Sequence, residues 1–147
     1  MIRPLLVSLI LLIQMPGKPK NQAAIKIISA TERQWAAGAS PGRTGITYKI
    51  KLRIETEAKV DFQNLWIGEQ HVPFTIAYFT PVAPAKLNKG DSLLLVYNHI
   101  DNEAPDSVAK RLPMKYEGAA LIEYSYKKQA QYVVVKSFVN LNAFKGE

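Results

Sequence analysis

The 147-residue chain contains no cysteine. That excludes disulfides, thiol catalysis, zinc–thiolate sites and iron–sulfur clusters together. It also excludes lipid attachment at a cysteine, as in bacterial lipoproteins. Histidine is scarce, with only His71 and His99. No G-x-S-x-G is present, so no hydrolase elbow is encoded. No H-E-x-x-H is present, so no zincin site is encoded. A Gly-X-Y period, long heptads, internal repeats and low-complexity tracts are all missing, which excludes collagen-like and coiled-coil classes.

What remains is a globular composition: 48% hydrophobic and 21% charged residues. The length suits one domain. Nineteen Lys and Arg against twelve Asp and Glu give a formal charge of +7. Residues 1–17 (MIRPLLVSLILLIQMPG) read as a signal peptide. Arg3 supplies the positive start, and Leu5–Ile13 is an apolar run broken only by Ser8. Such a run covers roughly half a bilayer core as a helix, too short to span it. Gly17 is the best small residue for cleavage, with Ala23 or Ala24 as later options. Residues 18–23 (KPKNQA) form a flexible lead-in, and 24–147 the domain proper. The expected location is periplasmic or extracellular.

The domain reads as short strands separated by turns. Ala24–Ala30 is the first. Thr44–Glu57 carries the clearest pattern: Ile46, Tyr48, Ile50, Leu52 and Ile54 alternate with Thr47, Lys49, Lys51, Arg53 and Glu55. Period-two alternation marks a strand with one wet face. Val60–Ile67 follows, mixed on both faces. Gly68-Glu69 makes a tight turn into Val72–Thr80, where Pro73 indicates an edge or a strand start. Ser92–Tyr97 is continuously apolar, as in a strand buried on both sides. Residues 98–115 form the longest irregular stretch, with a short helical turn expected near Asp106–Arg111. Ala119–Lys127 and Gln131–Leu141 are joined by a hairpin through KQA. Seven strands and no helix predict an all-β, immunoglobulin-like or related antiparallel β-sandwich. Ile50, Leu52, Trp66, Leu95, Ile122 and Val135 are the expected core.

Candidate chemistry is thin. His71 and His99 are expected on separate loops, exposed to solvent. The stretch GASPGRTG, Gly38–Gly45, fails the phosphate-loop spacing. Asp101, Asn102, Glu103 and Asp106 lack the spacing of a calcium loop and read as a solvated acidic loop. Glu55, Glu57, Glu117 and Glu123 lie on or beside strands, where a glycosidase pair would need proximity in space. Lys89-Gly90-Asp91 reads as a turn entering a strand. No catalytic, metal or cofactor residue is assigned, and no cofactor is expected. Lys49, Lys51 and Arg53 share the outward face of one strand and are the candidate polyanion-binding residues. Tyr48 points to the opposite side. Lys127, Lys128 and Lys136 add charge near the last hairpin.

Several pieces together carry a resemblance. They are an early strand ending in Arg33-Gln34-Trp35, a glycine-rich loop before Tyr48-Lys49-Ile50, then Phe62-Gln63-Asn64-Leu65-Trp66-Ile67-Gly68 and Val72-Pro73-Phe74. Lys89-Gly90-Asp91, Ala120-Leu121-Ile122-Glu123-Tyr124 and Tyr132-Val133-Val134-Val135-Lys136-Ser137-Phe138 follow. Across roughly residues 25–141 the chain resembles the small uncharacterised exported β-sandwich proteins of Bacteroidetes-type bacteria. The resemblance implies export and a sandwich, with Trp66 a core aromatic and Gly68 a turn glycine, and it carries over no catalytic residue. The functional expectation is an exported, non-enzymatic binding or structural module with a protein partner in the envelope or at the cell surface. Its recognition surfaces would be the 98–115 and GASPGRTG loops or a strand edge. The alternatives are anionic polysaccharide binding through the basic strand face and a small carbohydrate-active enzyme. No specific nucleic acid is expected, and membrane contact only through an uncleaved signal segment.

Overall fold

A computed structural model describes residues 23–38, 42–105 and 109–141. The expected signal peptide, and the lead-in up to residue 22, lie outside the described residues. Among those described there is no helix, and therefore none long and apolar enough to cross a membrane. Nine strands form two sheets: β1 (Ile25–Ala36), β2 (Thr44–Ile54), β3 (Val60–Ile67), β4 (Gln70–Val72), β5 (Thr75–Tyr78), β6 (Ser92–Ile100), β7 (Ala120–Tyr126), β8 (Gln129–Val135) and β9 (Val139–Asn140). One sheet has the order β5-β6-β2-β1-β9, the other β4-β3-β7-β8. The order β5-β6-β2-β1 facing β4-β3-β7-β8 is that of strands D-E-B-A facing C′-C-F-G. The protein is thus an immunoglobulin-like β-sandwich. β9 adds to it a parallel pairing with β1.

The alternation read in β2 sets the interior. Ile50, Leu52 and Ile54 are buried, and Leu95 and Leu93 of β6 pair with Ile50 and Leu52. Val60, Leu65, Ile122 and Val135 close the core from the other sheet. Each such side chain contributes about 1.5–3 kcal/mol on burial. Tyr48 also faces inward, stacked on Tyr97 at 6.0 Å between centroids and edge-on to Phe138 at 5.1 Å. In β3 a bulge between Phe62 and Asn64 shifts the phase. Phe62 before it and Leu65 after it therefore both pair with inward residues, Tyr124 and Ile122. Trp66 is turned to the outer side. This explains why β3 reads as mixed on both faces.

Several boundaries differ from the sequence reading. β1 runs twelve residues, to Ala36, because pairing with β2 carries its polar second half. The expected strand Val72–Thr80 is two strands: at Pro73-Phe74 the chain leaves the edge of one sheet and joins the edge of the other. Pro73 has no N–H to give a ladder, which suits it to the break. The expected Gln131–Leu141 strand also divides, crossing between sheets at residues 136–138. Both lateral edges of the sandwich are thus stitched by a crossing chain. The last hairpin turns at Lys127-Lys128, not at KQA; both lysines have positive φ, 49° and 61°, as a two-residue type I′ turn requires. β6 extends to Ile100, and only one of its faces is fully buried: Leu94 and Val96 on the other are half-buried. Of the helical turn expected at 106–111, residues 106–108 lie outside the described residues and 109–111 are not helical.

Candidate functional site

The outward face of the five-stranded sheet gathers the predicted basic residues. Lys49, Lys51 and Arg53 stand at every second position of β2 and so point one way, about 6–7 Å apart. The register places further cations beside them. Lys26 of β1 lies opposite Arg53, and Arg33 lies opposite Thr47. Lys26 and Arg33 escaped the sequence reading because the β1–β2 register that sets them beside Arg53 and Thr47 is not encoded in either segment alone. The face is otherwise short and neutral: Thr31 and Val96 flank Lys49, Ser29 and Leu94 flank Lys51, and Ser92 flanks Arg53.

The cations differ in how far they are committed. Arg53 is engaged, with Nε and Nη2 each 2.7 Å from Glu55 Oε1. The Lys51 ammonium lies 5.0 Å from the centre of the Phe79 ring, which is 59% exposed. Lys26, Arg33 and Lys49 make no ion pair among the described residues. A negative polymer crossing the strands would meet a cation in β1 and again in β2, with Glu55 the paired acid beside them.

The two loops expected to be recognition surfaces meet at one end of this sheet. Thr44 Oγ1 donates to Asp101 Oδ2 at 2.6 Å, and Arg43 pairs with Glu103 at 3.4 Å. Asp101 also lies 3.6 Å from His99 Nε2, and His99 Nδ1 is 3.2 Å from the Tyr97 hydroxyl. Burial, with a smaller contribution from Tyr48, raises the Tyr97 phenol above its ordinary value. The acidic residues Asp101 and Glu103 thus hold loops together; Asp106 lies outside the described residues. No group of three metal-binding side chains forms among the described residues. His99 is on β6 and half-buried, not on an exposed loop.

The outer face of the other sheet is covered. Trp66 and Leu121 point outward yet have no exposure, and neither belongs to the interior cluster. Segment 109–118 lies over them: Trp66 Nε1 donates to the Lys110 carbonyl at 3.1 Å, and the Tyr116 hydroxyl donates to the Gly68 carbonyl. Trp66 is therefore buried as expected, but under a strap and not in the central core. Beside it, Asn64 Nδ2 donates to Glu123 Oε2 at 2.5 Å, and His71 Nε2 is 2.9 Å from Asn64 Oδ1. Lys110 Nζ reaches Glu123 at 3.8 Å. Since Asn64 offers an oxygen to His71, Nε2 carries the proton and donates. His71 Nδ1 is buried and unpartnered. His71 sits on β4, so it too is a strand residue and not a loop one. The two histidines lie in different sheets.

Of the four candidate glycosidase carboxylates, Glu55, just past the end of β2, is tied to Arg53, and Glu123, on β7 of the other sheet, to Asn64 and Lys110. Lys89-Gly90-Asp91 is a turn: Gly90 has φ 93°, and Asp91 Oδ2 accepts from the Asn88 amide at 2.8 Å. Comparison with protein-family models, curated proteins and solved structures finds no match for the chain.

Proposed function

We propose that the protein is an exported, non-enzymatic binding module that holds an anionic polymer, such as an acidic polysaccharide, on the outer face of its five-stranded sheet. One observation carries the reading: Lys26, Arg33, Lys49, Lys51 and Arg53 converge on one sheet face, where Arg53 is paired with Glu55. Like charges repel on a face that has only structural work to do, and a polyanion relieves that repulsion. Export is supported by the charge and apolar pattern of residues 1–17. The non-enzymatic reading is supported by His71, His99, Asp101, Glu55 and Glu123, each tied to a neighbouring residue of its own face. A protein partner in the envelope is the second reading, and the long edge of β8 favours it.

The test is retention on an immobilised carboxylated or sulfated polysaccharide. Affinity should fall on the order of tenfold to fiftyfold between about 50 and about 200 mM salt, as for three or four phosphate-like contacts. The double variant Lys49→Glu, Lys51→Glu should lose retention while melting like the parent. Salt-independent retention, or retention unchanged in the double variant, would sink the proposal.

A further inference from the structure

We infer that the open edge of β8 takes up an extended, acidic-ended peptide segment of a partner protein as a fifth strand of the four-stranded sheet. β8 is an edge strand and pairs only with β7 among the described residues. Its hydrogen-bonding phase follows from the turn. A two-residue turn at Lys127-Lys128 makes Tyr126 and Gln129 the first hydrogen-bonded pair. Alternation then directs the backbone groups of Gln129, Gln131, Val133 and Val135 to β7. The Val135 carbonyl, accepting from the Ala119 amide at 2.8 Å, agrees with that phase. Ala130, Tyr132 and Val134 therefore turn their N–H and C=O groups outward.

The other sheet edges are short or broken, and the part of β1 that β9 leaves unpaired carries Lys26, Arg33 and a bulge between Ile27 and Ser29. β4, β5 and β9 have three, four and two residues, too few to template a strand. β8 has seven, with no proline, no charged side chain and an unbroken register. A long, uncharged edge is what proteins ordinarily avoid unless it is used.

Charge selects the occupant. Lys127 and Lys128 stand at one end of β8 and Lys136 at the other, all exposed. A second copy paired antiparallel about a two-fold axis would set Lys128 against the other copy's Lys136, like against like. A segment with β-branched residues at its centre and Glu or Asp at both ends meets a lysine at each end instead. This inference does not rest on the polymer reading, since β8 belongs to the other sheet.

The test uses the whole protein and a blocked, dye-labelled nine-residue peptide: two Glu, five alternating Val and Thr, two Glu. Fluorescence anisotropy should show saturable binding, at least about tenfold tighter than for the same peptide with Lys ends. N-methylating alternate residues should abolish binding in one phase and spare it in the other, because only one phase faces β8. Tyr132→Pro should weaken binding about tenfold or more while leaving the β7 ladder, since its N–H points away from β7. The N-methylated peptides give the same information without altering the protein. Saturating polysaccharide, and the Lys49→Glu, Lys51→Glu variant, should leave peptide binding unchanged. No peptide binding, equal binding of both N-methyl phases, no preference for Glu ends, displacement by polysaccharide, or a concentration-dependent dimer in sedimentation would each overturn the inference.

Discussion

Trp66 and Leu121 project from the outer face of the four-stranded sheet and are wholly buried, because segment 109–118 lies over them. Leu94 and Val96 project from the outer face of the five-stranded sheet and remain half exposed between Lys49, Lys51 and the short edge strand β5. The two faces are made from strands of similar apolar content. Their charges differ in kind. On the covered face Glu123, 13% exposed, is answered by Asn64 and Lys110, and the exposed Asp61 by Lys59. The open face holds cations in excess. A charge that the chain itself covers must be paired, because desolvation penalises it otherwise. A charge left unpaired must stay in water or meet a partner. The comparison thus separates a face finished by folding from a face left for something else.

The largest effect expected is on what both faces share, the interior. Leu52→Asp places a carboxylate where there is no exposure and should cost more than about 5 kcal/mol, unfolding the domain. Lys51→Asp, one residue away on the open face, should cost about 1 kcal/mol or less. Equal melting temperatures for the two would overturn the register of β2.

The next effect contrasts the two faces directly through an aromatic on each. Trp66→Ala should cost ~3–5 kcal/mol, since it empties the space under the strap and orphans the Lys110 carbonyl. Phe79→Ala on the open side should cost about 1 kcal/mol or less. Urea unfolding of the two variants measures the difference. Similar costs would mean that the strap does not seal its face.

A smaller effect concerns the aromatic stack on the inner side of the open sheet. Burial, then the Glu32 charge, raises the Tyr48 phenol above 10.0; burial, then Tyr48, raises Tyr97. A raised folded value means that the folded chain keeps its phenolic proton while the unfolded chain loses it. The stability these groups contribute is full below the ordinary value of 10.0 and is lost as pH rises through the folded values. Urea midpoints should therefore decline above about pH 10, and the decline should be shallower in Tyr48→Phe. An unchanged slope in that variant would remove Tyr48 from the alkaline transition.

Much of the sandwich was legible because burial leaves a period of two. β2 and its inward set Ile50, Leu52 and Ile54 were readable from alternation alone, and so was the outward set Lys49, Lys51 and Arg53. The polar half of β1 was not readable from periodicity, and only the resemblance extended a strand to Trp35: Thr31–Ala36 has no apolar alternation, and its strand conformation comes from pairing with Thr44–Lys49. The sheet crossings at Pro73-Phe74 and at 136–138 left only weak marks, because an extended chain that changes sheet has much the same local composition as one that stays. Lys26 and Arg33 went unseen as members of the basic face for a related reason: cross-strand neighbours depend on register, which no single segment encodes.

The amino-acid pattern by itself determined the all-β class, the inward and outward sides of the strongly alternating strands, the absence of thiol chemistry and the excess of positive charge. Those properties follow from local periodicity and composition, which need no partner segment. Only the tertiary structure decided that Trp66 is buried under residues 109–118 and not in the central core, that Asp101 and Glu103 close two loops together, and that β8 pairs on one side only among the described residues. Each of these is a contact between residues far apart in the chain, and its energy exists only once the sheets have packed.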